Sequence, residues 1–209
     1  MEKKYLKEFI LFPDVTIMGI LFVISASFTA VHLESYKTWI AVVIGMLVYV
    51  TFEYLTHRFV FHLKPPKSPF FLKLLKRLHY DHHAKPNDLH LLFLPLWYSV
   101  PNIIVLGVIV YYITGSLVIT NAVTTGLIIF FLYYEFVHYV AHRPIQPKSK
   151  WGRWMKKVHI WHHFKNENYW YGVTNPLGDV LMGTFEDQNH VEKSSTAKNL
   201  EARGEKIEM

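Results

Sequence analysis

Ten of the thirteen histidines fall into four short clusters. His57 and His62 bound HRFVFH, and His79, His82 and His83 form HYDHH. His138 and His142 form HYVAH, and His159, His162 and His163 form HIWHH. Neutral imidazole is a ligand for iron, zinc, copper and nickel. Helical spacings of three and four set side chains on one face, so each HxxHH is expected to offer three imidazoles as one patch, and HxxxH two. HxxxxH differs, because rings five residues apart diverge by roughly 140° on an α-helix. That spacing suits a pair serving two metals, or a helix that ends there. Ten imidazoles exceed what one ion can hold, and a structural zinc site would close with about four ligands. The set therefore points to two ions with about five nitrogen ligands each and positions left open, which on iron permits oxygen binding and activation. The sequence has no cysteine, which removes thiolate zinc sites, iron–sulfur clusters and cysteine catalysis. The histidines must carry the site.

Carboxylates lie close to the clusters. Glu53 precedes His57 by four residues and Glu135 precedes His138 by three. Both sit in apolar stretches, where a carboxylate is costly. Each is expected to accept a hydrogen bond from a ligand imidazole and fix its tautomer, as is Asp88 in LHYDHHAKPND. Direct metal ligation, or pairing of the two glutamates with Arg58 or Arg143 near the interface, are the alternatives. His32 reads as interfacial, His90 as surface or a support beside the site, and His190 as surface. Trp151, Trp154 and Trp161 interleave with Arg153, Lys156 and Lys157. Beside apolar spans this reads as an amphipathic helix at the lipid interface rather than a nucleic-acid patch.

The elements that must position these residues are membrane helices. Half of the 209 residues are hydrophobic (51%) and only 18% are charged, which excludes a disordered chain and a simple polar binding module. Apolar stretches run over about 15–31, 39–55, 91–113 and 117–141. A bilayer core of about 30 Å needs about 20 such residues as helix. Pro95 and Pro101 interrupt the third, whose first part is expected to kink or to lie at the interface. The first is not expected to be a signal peptide, since Val31-His32-Leu33-Glu34 is a poor cleavage site. Short turns at Glu34-Ser35-Tyr36-Lys37 and Thr114-Gly115-Ser116 join the stretches into two antiparallel hairpins. Lys and Arg then divide sharply: three in residues 1–14, seven in 57–90, eleven after Ala141, and one, Lys37, in the short turns. This orients the rich segments, with the histidine clusters, toward the cytoplasm. The expected fold is all-α: an integral membrane protein of four transmembrane helices in two hairpins, with a cytoplasmic helical cap carrying a dimetal site. Residues 1–190 form one domain with its histidine core at about 50–185. The polar tail 191–209 is expected to be poorly ordered or a short surface helix.

FEYLTHRFVFH (52–62), LHYDHHAKPND (78–88), HYVAH (138–142) and VHIWHHFKNENYWYGVTNPLGDVLMGT (158–184) together resemble the membrane fatty acid hydroxylase and sterol desaturase superfamily, most closely its fatty acid 2-hydroxylase branch. The resemblance covers about two thirds of the chain. It implies a histidine-bound dimetal centre at the cytoplasmic face, with all ten clustered histidines as ligands, the same ten that spacing selects. It implies iron, oxygen as co-substrate, and hydroxylation of a fatty acyl chain in a fatty acid or sphingolipid; zinc can occupy such sites in purified protein. Some members carry a fused b-type cytochrome domain. This chain has no HPGG motif, so electrons are expected from a separate b-type cytochrome, or from a ferredoxin with its reductase. Arg143 replaces a second histidine often found after HYxxH. Rivals are a lipid desaturase, sterol methyl oxidase or carotenoid hydroxylase of the same superfamily, or a membrane metal transporter or storage protein. An intramembrane metalloprotease is excluded by the lack of HExxH. The membrane would be the bacterial inner membrane or the endoplasmic reticulum.

Overall fold

A computed structural model of the chain describes residues 2–33 and 35–204. Among these residues it is all-helical, with no strand. The helices are α1 (Lys3–Ile10), α2 (Pro13–Val31), α3 (Tyr36–Thr56), α4 (Pro69–Leu75), α5 (Asp81–Ala84), α6 (Leu89–Leu92), α7 (Leu96–Thr114), α8 (Leu117–His142), α9 (Lys150–Phe164) and α10 (Leu177–Leu181). Two π-helical turns, His57–Phe61 and Lys76–Tyr80, continue α3 and α4. Four stretches are long and apolar enough to cross a membrane: Pro13–Val31, Tyr36–Phe61, Leu89–Thr114 and Leu117–His142. The protein is a multi-pass membrane protein, with the four spans at the expected places. The chain divides into two compact units, residues 1–51 with 94–136, and residues 52–93 with 137–209.

The first unit is a helical bundle in which α8 touches each of the other long helices. Lipid offers little hydrophobic drive between helices, so close backbone approach and polar bonds hold them. At the α3–α8 crossing, a Cβ on Gly45 would stand 2.1 Å from the Val123 oxygen, and one on Gly126 2.0 Å from the Val42 oxygen. Only glycine fits there. On the α2 side, the Thr125 hydroxyl lies 2.7 Å from Ser25 Oγ and 2.8 Å from Thr29 Oγ1, while Asn121 Nδ2 donates to the Ser25 carbonyl at 2.8 Å. Helix α7 runs unbroken through Pro101. The interruption expected in the third span falls earlier, between α6 and α7, where Pro95 caps the helix and Asp14 accepts the Leu96 N–H at 2.9 Å. Gly115 (φ 62°) ends α7 in the left-handed conformation, its N–H donating to the Tyr111 carbonyl. The short link after α2 includes Glu34, which lies outside the described residues. The N-terminal polar segment holds α1, anchored by Phe9 edge-on to Phe136 at 5.4 Å.

The second unit holds α4, α5, α6, α9, α10 and the ends of α3 and α8. Two expectations change here. Helix α9 buries one face inside the unit, while Trp151, Arg153 and Lys157 stay exposed. Met155, Val158 and three histidines are buried, Trp154 packs on Phe185 and Trp161 on Trp170. Lys156, read as a headgroup contact, donates from Nζ to the carbonyls of Val140, Arg143 and Ile145 and so caps the end of α8. The segment after residue 190 is not a loose tail over its described part. Val191, Ala197 and Leu200 are buried, and Leu200–Gly204 forms a 3-10 turn with Leu200 packed on Leu75 and Tyr80. Apolar residues this sparse in a polar stretch resemble a solvated segment, yet each fills a gap left by other elements. Residues 205–209 lie outside the described residues.

Candidate metal centre

All ten clustered histidines are buried, and they converge in the second unit as two groups of five. His57, His62, His79, His83 and His162 form the first; His82, His138, His142, His159 and His163 form the second. Within each group the candidate ligand atoms all lie within 4.8 Å of one another. The groups abut through His83 and His163, whose rings stack at 4.1 Å.

The local backbone explains the division. After Thr56 the helix loosens into a π-turn, and the His62 N–H donates to the His57 carbonyl across five residues. An i→i+5 turn returns the fifth residue to the starting face, where an α-helix would turn it away. His57 and His62 therefore serve one group, not two. Each HxxHH is shared instead of forming a single patch. His79 and His83 enter the first group and His82 the second; His159 and His163 enter the second and His162 the first. Adjacent helical residues stand about 100° apart around the axis, so an HH pair can face two neighbouring points at once.

The nitrogens lie too close together to be paired as hydrogen bonds. His79 Nε2 lies 3.0, 2.9 and 3.0 Å from Nε2 of His57, His62 and His83. A ring nitrogen has one proton or one lone pair, so it cannot bond three others. In the second group His138 and His82 approach at 3.0 Å, and His142 and His159 at 2.9 Å. Metal–nitrogen bonds of about 2.1 Å set ligands at right angles about 3.0 Å apart. The donor set thus fits a bound metal in each group. Both groups could hold metal ions.

Backbone carbonyls set the tautomers of three histidines in the first group. The Nδ1–H groups of His57, His162 and His83 donate to the carbonyls of Tyr171 (2.5 Å), Tyr169 (2.7 Å) and Ala197 (2.7 Å). A carbonyl only accepts, so the proton sits on Nδ1 and the Nε2 lone pair faces inward. Trp170, between two of these carbonyls, is fully buried and adopts φ 58°, a conformation unusual for a bulky side chain. Its Nε1–H donates to the Glu186 carbonyl and its backbone N–H to Thr184. Burial pushes His83 down to about 3 and holds His62, His79, His82, His159, His162 and His163 well below the usual histidine range. These rings stay neutral at pH 7, as ligation requires.

The expected carboxylate supports act through the backbone. Glu53 accepts the Val173 and Thr174 N–H groups and the Thr174 hydroxyl at 2.6–2.9 Å. It braces the loop that carries the Tyr171 carbonyl instead of bonding a histidine itself. Glu135 accepts the Leu94 N–H at 3.0 Å, at the break before α7. Asp88 is exposed and caps α6 by accepting the His90 N–H, because the chain turns into a new helix at that point. Arg58 bonds the Tyr54 hydroxyl and the Met182 carbonyl. Sequence reasoning passed over Asp179, Glu167 and Arg203. Asp179 is buried and accepts from the Tyr171 and Gly172 N–H groups and the Thr184 hydroxyl. Its place in YGVTNPLGD was a usable signal. Glu167 and Arg203 stand in polar runs without one.

An all-helical, multi-pass membrane protein with two buried five-histidine groups is the class these features define. A family model described as fatty acid hydroxylase matches residues 42–184, and the chain belongs to that family. It is 33% identical over 148 residues to a fatty acid 2-hydroxylase of Rattus norvegicus, covering 68% of this chain and 38% of that protein. It is 32% identical over 147 residues to a dihydroceramide fatty acyl 2-hydroxylase of Arabidopsis thaliana, covering 69% of this chain and 60% of the relative. The solved structure of full-length scs7p, in which only the hydroxylase domain is visible, shares the fold with a TM-score of 0.74 at 25% identity, over 85% of this chain and 69% of that one.

Proposed function

We propose that the protein is an oxygen-dependent membrane monooxygenase that hydroxylates a fatty acyl chain, at carbon 2 of a fatty acid or of a sphingolipid acyl group. The observation that carries this reading is the convergence of ten buried ring nitrogens into two adjoining groups of five. The names of the relatives supply the substrate class and the position. The ten histidines are the metal ligands, and iron is the native metal. Bound iron would supply the oxygen chemistry, in which dioxygen, two electrons and two protons convert a C–H bond to C–OH and release water. The chain's own contribution is preparation. It keeps the imidazoles neutral by burial and aims the lone pairs of His162, His57 and His83 inward by the Tyr169, Tyr171 and Ala197 carbonyls. It keeps the site dry, so that reactive species meet substrate rather than water. Electrons come from a separate donor, a b-type cytochrome or a ferredoxin with its reductase. The split of Lys and Arg, 21 against 1, supports a site on the cytoplasmic side.

The test is expression in a host lacking such enzymes, with total fatty acids profiled by mass spectrometry beside His138→Ala and His142→Ala controls. A 2-hydroxy fatty acid absent from both controls is expected. A product lacking two hydrogens would move the reaction to desaturation. Metal flux into vesicles without any new lipid would replace the enzyme by a transporter.

A further inference from the structure

We propose that residues 194–203 are a working part of the first histidine group, with Glu167 and Arg203 as positioning residues for one metal of the two. The inference rests on the reading of both groups as metal sites. The segment lies past the residues matched by the family model, which end at 184. It reaches the first group in three ways. The Ala197 carbonyl accepts the His83 Nδ1–H at 2.7 Å and so fixes which nitrogen is left bare. Arg203 Nη1 donates to the His62 carbonyl at 2.8 Å, holding the end of the π-turn that folds His62 inward. Leu200 packs on Leu75 and Tyr80, and Glu201 pairs with Lys76 at 2.8 Å, both on the helix that carries His79.

The anchor of the segment is an ion pair whose carboxylate is buried and whose guanidinium is partly exposed. The Glu167 side chain is 0% exposed, and the Arg203 guanidinium stands 3.8 Å from it. Thr196 donates its hydroxyl to the same carboxylate at 2.5 Å, and Arg203 Nη2 donates to Asn168 Oδ1 at 3.0 Å. A buried carboxylate is strongly unfavourable without its cation, so removing Arg203 leaves Glu167 uncompensated and frees the segment. The Ala197 carbonyl then no longer holds His83. The bonds of the segment to His83 and His62 both fall on the first group, so the effect is expected on one metal only.

Zinc release from the full-length purified protein to a chromophoric chelator tests this. Wild type is expected to hold two zinc ions and release them in two phases. His79→Ala identifies the phase of the first group and His142→Ala that of the second. Arg203→Ala and Glu167→Gln should each speed the first-group phase by about 10–100-fold, the usual effect of losing a partner of a metal ligand, and leave the other unchanged. Arg203→Lys, which keeps the cation, should restore much of the loss. An unaltered first-group phase, or equal acceleration of both phases, would overturn the assignment. Wild-type protein that takes up no zinc would overturn the two-metal reading itself, a separate result.

Discussion

A buried histidine meets two demands at the residue scale: stay neutral, and aim one nitrogen. Burial meets the first. His83 is pushed down to about 3, and six further histidines outside the spans lie well below their ordinary value of 6.5. The unfolded chain binds protons below pH 6.5 that the folded chain refuses. Stability is therefore full above about pH 6.5 and falls as pH drops from there toward about 3, with several protons taken up on unfolding. Metal retention should fall in the same window, since protons compete for the same lone pairs. Thermal unfolding and zinc content measured from about pH 7 to about pH 4 check this, and a flat profile would contradict it. Carbonyls meet the second demand for His57, His83 and His162, and here the sequence was only partly legible. The ten histidines stood out by type and spacing. Their partners did not, because a carbonyl has no residue identity. Glu53 was conspicuous as a carboxylate in an apolar run, yet it bonds a loop 120 residues away, which no local pattern announces.

The π-turns decide the outcome at the element scale. HxxxxH left two readings open, a pair serving two metals or a helix end. The helix does end there, with His62 at its C-cap, and it ends through an i→i+5 turn that returns His62 to the face of His57. Inserting one alanine after Val60 should carry His62 about 100° further round the axis and away from His57. The expected result is loss of one metal of two, read as zinc per chain, while Val60→Ala keeps both. Equal metal in the insertion variant would remove the π-turn from the argument. The four spans were legible because an uninterrupted apolar run of that length has few alternatives. The interior role of α9 was not. Its tryptophans and lysines match an interfacial helix, and only the surrounding elements show that Trp161 meets Trp170 and that Lys156 caps α8.

For the whole molecule, charge carries the topology. The chain has no cysteine, so single substitutions report position without background. Lys37, in the first turn of α3, and Lys193, in the second unit, are both exposed and would take the substitutions Lys37→Cys and Lys193→Cys. A membrane-impermeant maleimide should label Lys193→Cys from the cytoplasmic side and Lys37→Cys from the opposite side. Labelling of both from one face would break the four-span arrangement. Glycine at the α3–α8 crossing and the hydroxyl cluster around Thr125 explain how the helices of the bundle approach closely. Past residue 190 the chain returns to the histidines through Ala197 and Arg203, contacts that no local pattern announces.

The most direct measurement supplies isotopically labelled dioxygen to the purified, iron-loaded protein with a reductant and a fatty acyl substrate, followed by mass spectrometry of the product. The account predicts a hydroxy acyl product whose new oxygen carries the label, absent when any one of His79, His138 or His162 is replaced by alanine. A hydroxyl without label, or no oxygenated product from protein holding both metals and receiving electrons, would contradict it.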